Sequence, residues 1–159
     1  MIYNPSAIPN VSSTIRAWRK EAIKQGIGEI YVMTRNLILD NQIPVKECDA
    51  EFDFAPLQKG FSSCVISGVD DSYIFDYNHT VEEMRNLYYH HKSDKPFYYT
   101  STMGWDNSPR RKSGFTIFHH YTLKGFYEWN RAIIQKTRKT HPKDKRFMFV
   151  NAWNEWCEG

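Results

Sequence analysis

The sequence predicts an α/β fold with parallel strands. Two observations carry this. Apolar strand-like runs alternate with segments of helical periodicity, an order that favours strand–helix–strand units and a parallel sheet. The two densest polar-aromatic clusters, at 104–110 and 151–159, both come directly after predicted strands. In barrels of parallel strands the active site lies at that C-terminal edge.

The elements follow in order. Ile2-Tyr3 reads as a strand end running into the turn residues Asn4-Pro5. Ser12 or Ser13 is placed to cap a helix whose apolar positions Ile15, Trp18, Ala22 and Ile23 recur at helical spacing, and Gly26 and Gly28 stop it. Glu29-Ile-Tyr-Val-Met33 reads as a buried strand. Residues 36–78 are rich in Asn, Asp, Ser and Pro, with apolar bursts at 52–54 and 64–66, and read as a long excursion holding at most a short strand. Thr80-Val-Glu-Glu83 has the form of a capping box, opening a helix that carries Val81, Met84, Leu87, Tyr88 and His91. Pro96-Phe-Tyr-Tyr-Thr-Ser101 is a second clear strand, and 115–118 a short extended segment. Thr122 caps a helix with Leu123, Phe126, Ile133 and Ile134 on one side, closed by Pro142. Arg146-Phe-Met-Phe-Val-Asn151 is the last strand.

Bulk properties narrow the function classes. The chain has 159 residues, 41% hydrophobic and 25% charged, the balance of one globular domain. No apolar run approaches the roughly 20 residues that span a bilayer. No basic stretch followed by an apolar run opens the chain, which reads as cytoplasmic unless a signal has been lost from a fragment. The net charge is +3, and the basic cluster 136–146 has no interleaved aromatics. It reads as a solvated helix end with cations near the negative pole, and not as a nucleic-acid surface. Cys48, Cys64 and Cys157 share no CxxC spacing, so reduced thiols are expected over a disulfide or zinc framework. Adjacent residues on a helix or strand are expected to diverge, so neither His90–His91 nor His119–His120 readily chelates one ion, and nothing resembles HExxH. Aromatics make up 16% of the chain, which suits sugar faces and apolar cores alike.

Two clusters carry candidate chemistry. Glu155 and Glu158 stand three apart between Trp153 and Trp156. Cleaving a glycosidic bond requires one protonated and one ionised carboxyl group, and apolar walls with mutual repulsion separate the two roles. A spacing of three puts strand side chains on opposite faces, so both converge only where the chain bends. By content alone, a solvated acidic loop is the commoner use of two glutamates. Cys157, between them, has no basic partner in the motif and reads as a space-filling residue. Trp105, Asp106, Asn107 and Arg110 form the other cluster. Two readings stand for it: a sugar-binding set with a stacking ring and hydroxyl-binding groups, or a turn punctuated by Asn-Ser-Pro and locked by an Asp–Arg pair.

Gly104-Trp-Asp-Asn-Ser-Pro-Arg110, followed by Phe149-Val-Asn-Ala-Trp-Asn-Glu-Trp-Cys-Glu-Gly159, resembles the WbsX-type proteins. These are glycosyltransferases of bacterial surface-polysaccharide (lipopolysaccharide, O-antigen) clusters, also described as similar to glycoside hydrolase family 99. The likeness continues more weakly through Tyr3-Asn-Pro and Trp18-Arg-Lys. It implies a single partial domain over 1–159, truncated at both ends: the second half of a (β/α)8 TIM-type barrel with flanking helices, its first half a possible partner. It implies a carbohydrate substrate and no cofactor. Glu155 would help the sugar 2-hydroxyl attack its own anomeric carbon, Glu158 would be the general acid on the leaving oxygen and later a base for water, and Asn154 would contact substrate. Cys157 departs from the His of the family 99 mannosidases and from the Ala of WbsX-type proteins, which favours the polysaccharide branch. The expected function is a glycan-active enzyme of bacterial polysaccharide metabolism. Transfer from an activated donor and a catalytically dead binding remnant are the alternatives.

Overall fold

Asn10 starts the first helix. Its side-chain carbonyl accepts from the Ser13 backbone N–H at 3.1 Å, so the cap lies two residues before the expected Ser12 or Ser13. The resulting α1 (Val11–Lys24) buries Ile15 and Ala22, while Trp18 and Ile23 of the expected stripe stay exposed. Gly26 and Gly28, with φ of 74° and 91°, take the chain out of the helix through the left-handed region.

The computed structural model describes residues 1–36, 38, 45–55 and 62–151. They fall in two compact units, Met1–Phe54 with Ser93–Tyr98, and Ala55–Lys92 with Tyr99–Gly159. The architecture is mixed α/β with parallel strands and helices.

In the first unit, β1 (Met33–Arg35), β2 (Ala50–Phe52) and β5 (Phe97–Tyr98) pair in parallel, Met33 opposite Ala50 and Glu51 opposite Phe97. Ile2 adds a parallel bridge to Thr34. The strand expected at 29–33 therefore begins at Met33, because Ile2 and β2 set the pairing there. Ile30 and Val32 instead join Ile2, Ile15, Val45 and Cys48 in an apolar core. Two cations tie the frame. Arg19 donates to the Ile30 and Glu47 carbonyls and to Asp49, and Lys95 Nζ donates to the carbonyls of Val45, Lys46 and Cys48 at 2.8–2.9 Å.

The second unit departs most from the sequence reading. The excursion expected over 36–78 contains β2 and, in this unit, an antiparallel hairpin of β3 (Val65–Val69) and β4 (Ser72–Asp76). Asp70, at φ 53°, turns it. β3 is mostly exposed, with Ile66 and Val69 facing solvent, so pairing and not apolar content makes it a strand. β7 (Thr116–His119) runs parallel to β4, with Asp76 opposite His119. The segment expected as one strand over 96–101 is divided: β5 pairs with β2, and β6 (Thr100–Thr102) pairs in parallel with β8 (Phe149–Asn151).

Helix α2 (Tyr77–His90) starts three residues before the expected capping box. Asp76 caps it, accepting from the His79 N–H at 2.8 Å, and Thr80 lies inside, its hydroxyl bonded back to the Asp76 carbonyl. Thr122 caps α3 (Leu123–Thr140) as expected, accepting from Gly125 N–H. The buried stripe of α3 is Gly125, Trp129, Ile133 and Thr137, one turn apart each, whereas Leu123 and Ile134 of the expected face are exposed. Tyr77 and Tyr88, three turns apart on α2, donate their hydroxyls to the Thr102 and Thr100 carbonyls at 2.8 and 2.7 Å. Ser101 bonds to Asn130 of α3, so both helices hold β6 in place. No helix among the described residues is long and apolar enough to cross a membrane.

Candidate functional site

The end of β6 and the end of β8 are the same edge. The strands are parallel and their last pair is Thr102 opposite Asn151, with the Thr102 hydroxyl donating to the Asn151 carbonyl at 3.3 Å. The chain leaving Thr102 becomes 103–110, and the chain leaving Asn151 becomes the glutamate motif. Parallel pairing thus starts both sequence motifs side by side. Asn151 is held as well as placed, since its amide donates to the Ala55 carbonyl at 2.7 Å.

The first motif is a built turn. The Trp105 carbonyl accepts from Phe118 N–H at 2.7 Å, and Asp106 bridges Ile117 antiparallel, so the segment folds back along β7. Asn107 is buried, and its side-chain oxygen accepts from Thr116 N–H at 2.7 Å. Asp106 Oδ1 accepts from Ser108 N–H at 2.8 Å, ahead of a single 3-10 turn at Ser108–Arg110. Asp106 and Asn107 therefore organise the loop with the very oxygens that a sugar hydroxyl would seek. Trp105 is half-buried and Arg110 exposed. Of the second motif, Trp153, Asn154, Glu155, Trp156 and Glu158 lie outside the described residues, as does Cys157.

The ends of β4 and β7, in a separate sheet, hold residues that sequence reasoning missed. Asp76 ends β4, and its Oδ2 lies 2.9 Å from His120 Nδ1, just past the end of β7. The His79 backbone N–H, and then the His120 hydrogen bond, hold the Asp76 carboxyl below the usual carboxylate range. Tyr77, next to Asp76, is fully buried, and burial pushes its phenol well above its ordinary range, so it is a neutral donor to Thr102. Its ring lies 5.0 Å from that of Tyr121, against which Gly104 packs. A Cβ at Gly104 would sit 3.6 Å from the Tyr121 ring. The strand ends at 76, 102, 119 and 151 are therefore linked through Tyr77 and Tyr121. The signal that points here is a polar residue at a strand end, but β4 does not read as a strand.

The other histidines have protein partners. His90 Nδ1 meets the Asn86 carbonyl, His91 Nδ1 meets Tyr99 Oη at 3.0 Å, and His141 Nδ1 meets the Thr140 hydroxyl. Burial lowers the pKa of His91, helped by the Lys136 ammonium, and burial lowers that of His141. Among the described residues, no three His, Cys, Asp or Glu side chains are grouped to hold a metal ion.

The whole chain, residues 1–159, matches the model of the family described as Glycosyltransferase WbsX. It is 26% and 27% identical, over 164 and 161 residues, to proteins called "Uncharacterized protein WxcX" in two strains of Xanthomonas campestris pv. campestris. All of this chain is covered, and it spans 23% of the length of those relatives. No solved structure matches it. With the family match running end to end, the chain belongs to the WbsX glycosyltransferase family.

Proposed function

We propose that the chain is part of a glycan-active enzyme of bacterial polysaccharide metabolism, with its reaction centre at the C-terminal edge of β6 and β8. The pairing of Thr102 with Asn151 carries this reading, because these neighbouring residues stand just ahead of the 104–110 loop and at the start of the glutamate motif in the sequence. Parallel pairing of Ile2 with β1, β1 with β2, β2 with β5, and β6 with β8 supports a segment of a (β/α)8 barrel, whose chemistry lies at the C-terminal edge of its strands. Buried, unpaired Cys48 and Cys64 suit a reducing compartment such as the cytoplasm.

In this reading Glu158 protonates the leaving glycosidic oxygen and Glu155 assists the sugar 2-hydroxyl. Asn154, Trp153, Trp156, Trp105, Asp106, Asn107 and Arg110 surround the sugar, the rings by stacking and the polar groups by hydrogen bonds. The test is Glu158→Gln in a full-length family member carrying this segment. Losing a positioned acid costs about 10²–10⁴ in rate on oligosaccharides and less on activated aryl glycosides, whose leaving groups need no proton. Equal loss on both substrates contradicts the role. The family name favours transfer as a second reading. Turnover only with a nucleotide-sugar or lipid-linked donor, and no release of reducing sugar, establishes transfer in place of hydrolysis.

A further inference from the structure

We propose that His120, oriented by Asp76, is a glycan-binding residue whose Nε2 accepts a hydrogen bond from a sugar hydroxyl at this edge. The proposal rests on the reading that the edge handles a glycan, and it adds a residue outside both motifs.

The tautomer follows from the partners. An ionised Asp76 can only accept hydrogen bonds, and both its oxygens are taken: Oδ1 by the His79 N–H, Oδ2 by His120 Nδ1. The ring proton must then be on Nδ1, which leaves the lone pair of the neutral ring on Nε2. Nε2 makes no hydrogen bond among the described residues, and the side chain is 56% exposed. An acceptor presented in this way suits a neutral hydroxyl donor and not an anion.

The ring is held in place. His120 adopts φ 58°, a left-handed conformation that a non-glycine residue keeps only when its surroundings impose it. Asn78 Nδ2 donates to the His120 carbonyl at 2.7 Å, and Thr122 Oγ1 clamps Asn78 Oδ1 at 2.6 Å. Gly125 makes room for this clamp, since a Cβ there would lie 2.5 Å from Asn78 Oδ1. The His119 ring stacks on that of His120 with centroids 4.2 Å apart. A free surface histidine needs none of this.

The position matches the site. Tyr121, next in the chain, packs on Gly104 at the start of the first motif. Tyr77, beside Asp76, bonds to Thr102, which lies opposite Asn151. The titratable groups around the pair are His119 on β7, His79 and Glu83 on α2, Cys64 ahead of β3, and Tyr77 and Tyr121.

The test is long-range ¹H–¹⁵N spectroscopy of the histidine rings and tryptophan indoles in the full chain. The probes are the methyl α-pyranosides of mannose, glucose, galactose and N-acetylglucosamine, with glycerol as control. The expected result is an Nδ1–H tautomer at His120 in the free protein. At least one pyranoside then shifts His120 Nε2 saturably. His120→Gly removes the ring at a φ that glycine adopts freely, and weakens pyranoside binding at Trp105 about three- to tenfold. An Nε2–H tautomer overturns the proposal. A Trp105 response with His120 silent, or unchanged affinity in His120→Gly, also overturns it while leaving the edge as a glycan site. Silence at both residues with every pyranoside overturns both readings, and a response at His120 alone supports this proposal against the role of Trp105.

Discussion

The two units both set short parallel strands beside helices and both tie backbone carbonyls with cations, Lys136 and Arg146 among them in the second unit, but they differ in their histidines. In Met1–Phe54 with Ser93–Tyr98, the partly buried cations Arg19 and Lys95 spend their donors on backbone carbonyls and on Asp49. No histidine falls in that unit. All six histidines lie in Ala55–Lys92 with Tyr99–Gly159, and there the polar groups gather where strands end, at Asp76, His120 and Asn151. The histidines whose protonation burial disfavours, His91 and His141, are therefore confined to the second unit.

Core truncation gives the largest effects. Trp129 is fully buried beside Tyr77, and Trp129→Ala is expected to cost about 3–5 kcal/mol, with hydrogen exchange showing lost protection across α2, α3 and β6. An intact β6 in that variant breaks the claim that the helices position the edge. Lys95→Met strips three carbonyls of the first unit of their donor, and is expected to cost about 1.5–3 kcal/mol in denaturant unfolding with no change at the histidines. Gly125→Ala pushes a methyl into Asn78 Oδ1 and Thr122 Oγ1, for about 1–3 kcal/mol, and frees the His120 carbonyl. A neutral result there means that the clamp gives way easily.

Acid produces the smallest effect and separates the units most sharply. His91 and His141 have folded pKa values below the ordinary histidine value of about 6.5, so the unfolded chain binds more protons. Stability is full above that value and falls as pH drops below it. Asp76, also lowered, contributes stability above the unfolded carboxylate value of about 3.9 and loses it as pH falls through its folded value. Hydrogen exchange at pH 7 and pH 5.5 is therefore expected to show loosening in the second unit alone. Equal loosening in the first unit contradicts the comparison.

The helices were legible in the sequence because periodicity and caps are local, and Thr122 is the plainest case. The inward face of α3 was not, since Leu123 and Ile134 are apolar yet exposed, and the buried stripe runs through Gly125 and Thr137. The β3–β4 hairpin was hidden by its exposed, Ser- and Gly-containing strands, which pairing alone defines. The 104–110 motif was legible, but its sequence left turn and ligand site equally open; the hydrogen bonds of Asp106 and Asn107 show the turn. The Asp76–His120 pair joins residues 44 apart and lay beyond any local pattern.

The 104–110 loop and the glutamate motif are proposed to form one site. The decisive measurement is a pyranoside titration followed at the indole N–H groups of all five tryptophans. Trp105, Trp153 and Trp156 are predicted to shift together with one midpoint, while buried Trp129 and Trp18 on α1 stay silent. Separate midpoints, or a response of Trp153 and Trp156 without Trp105, would contradict the shared edge.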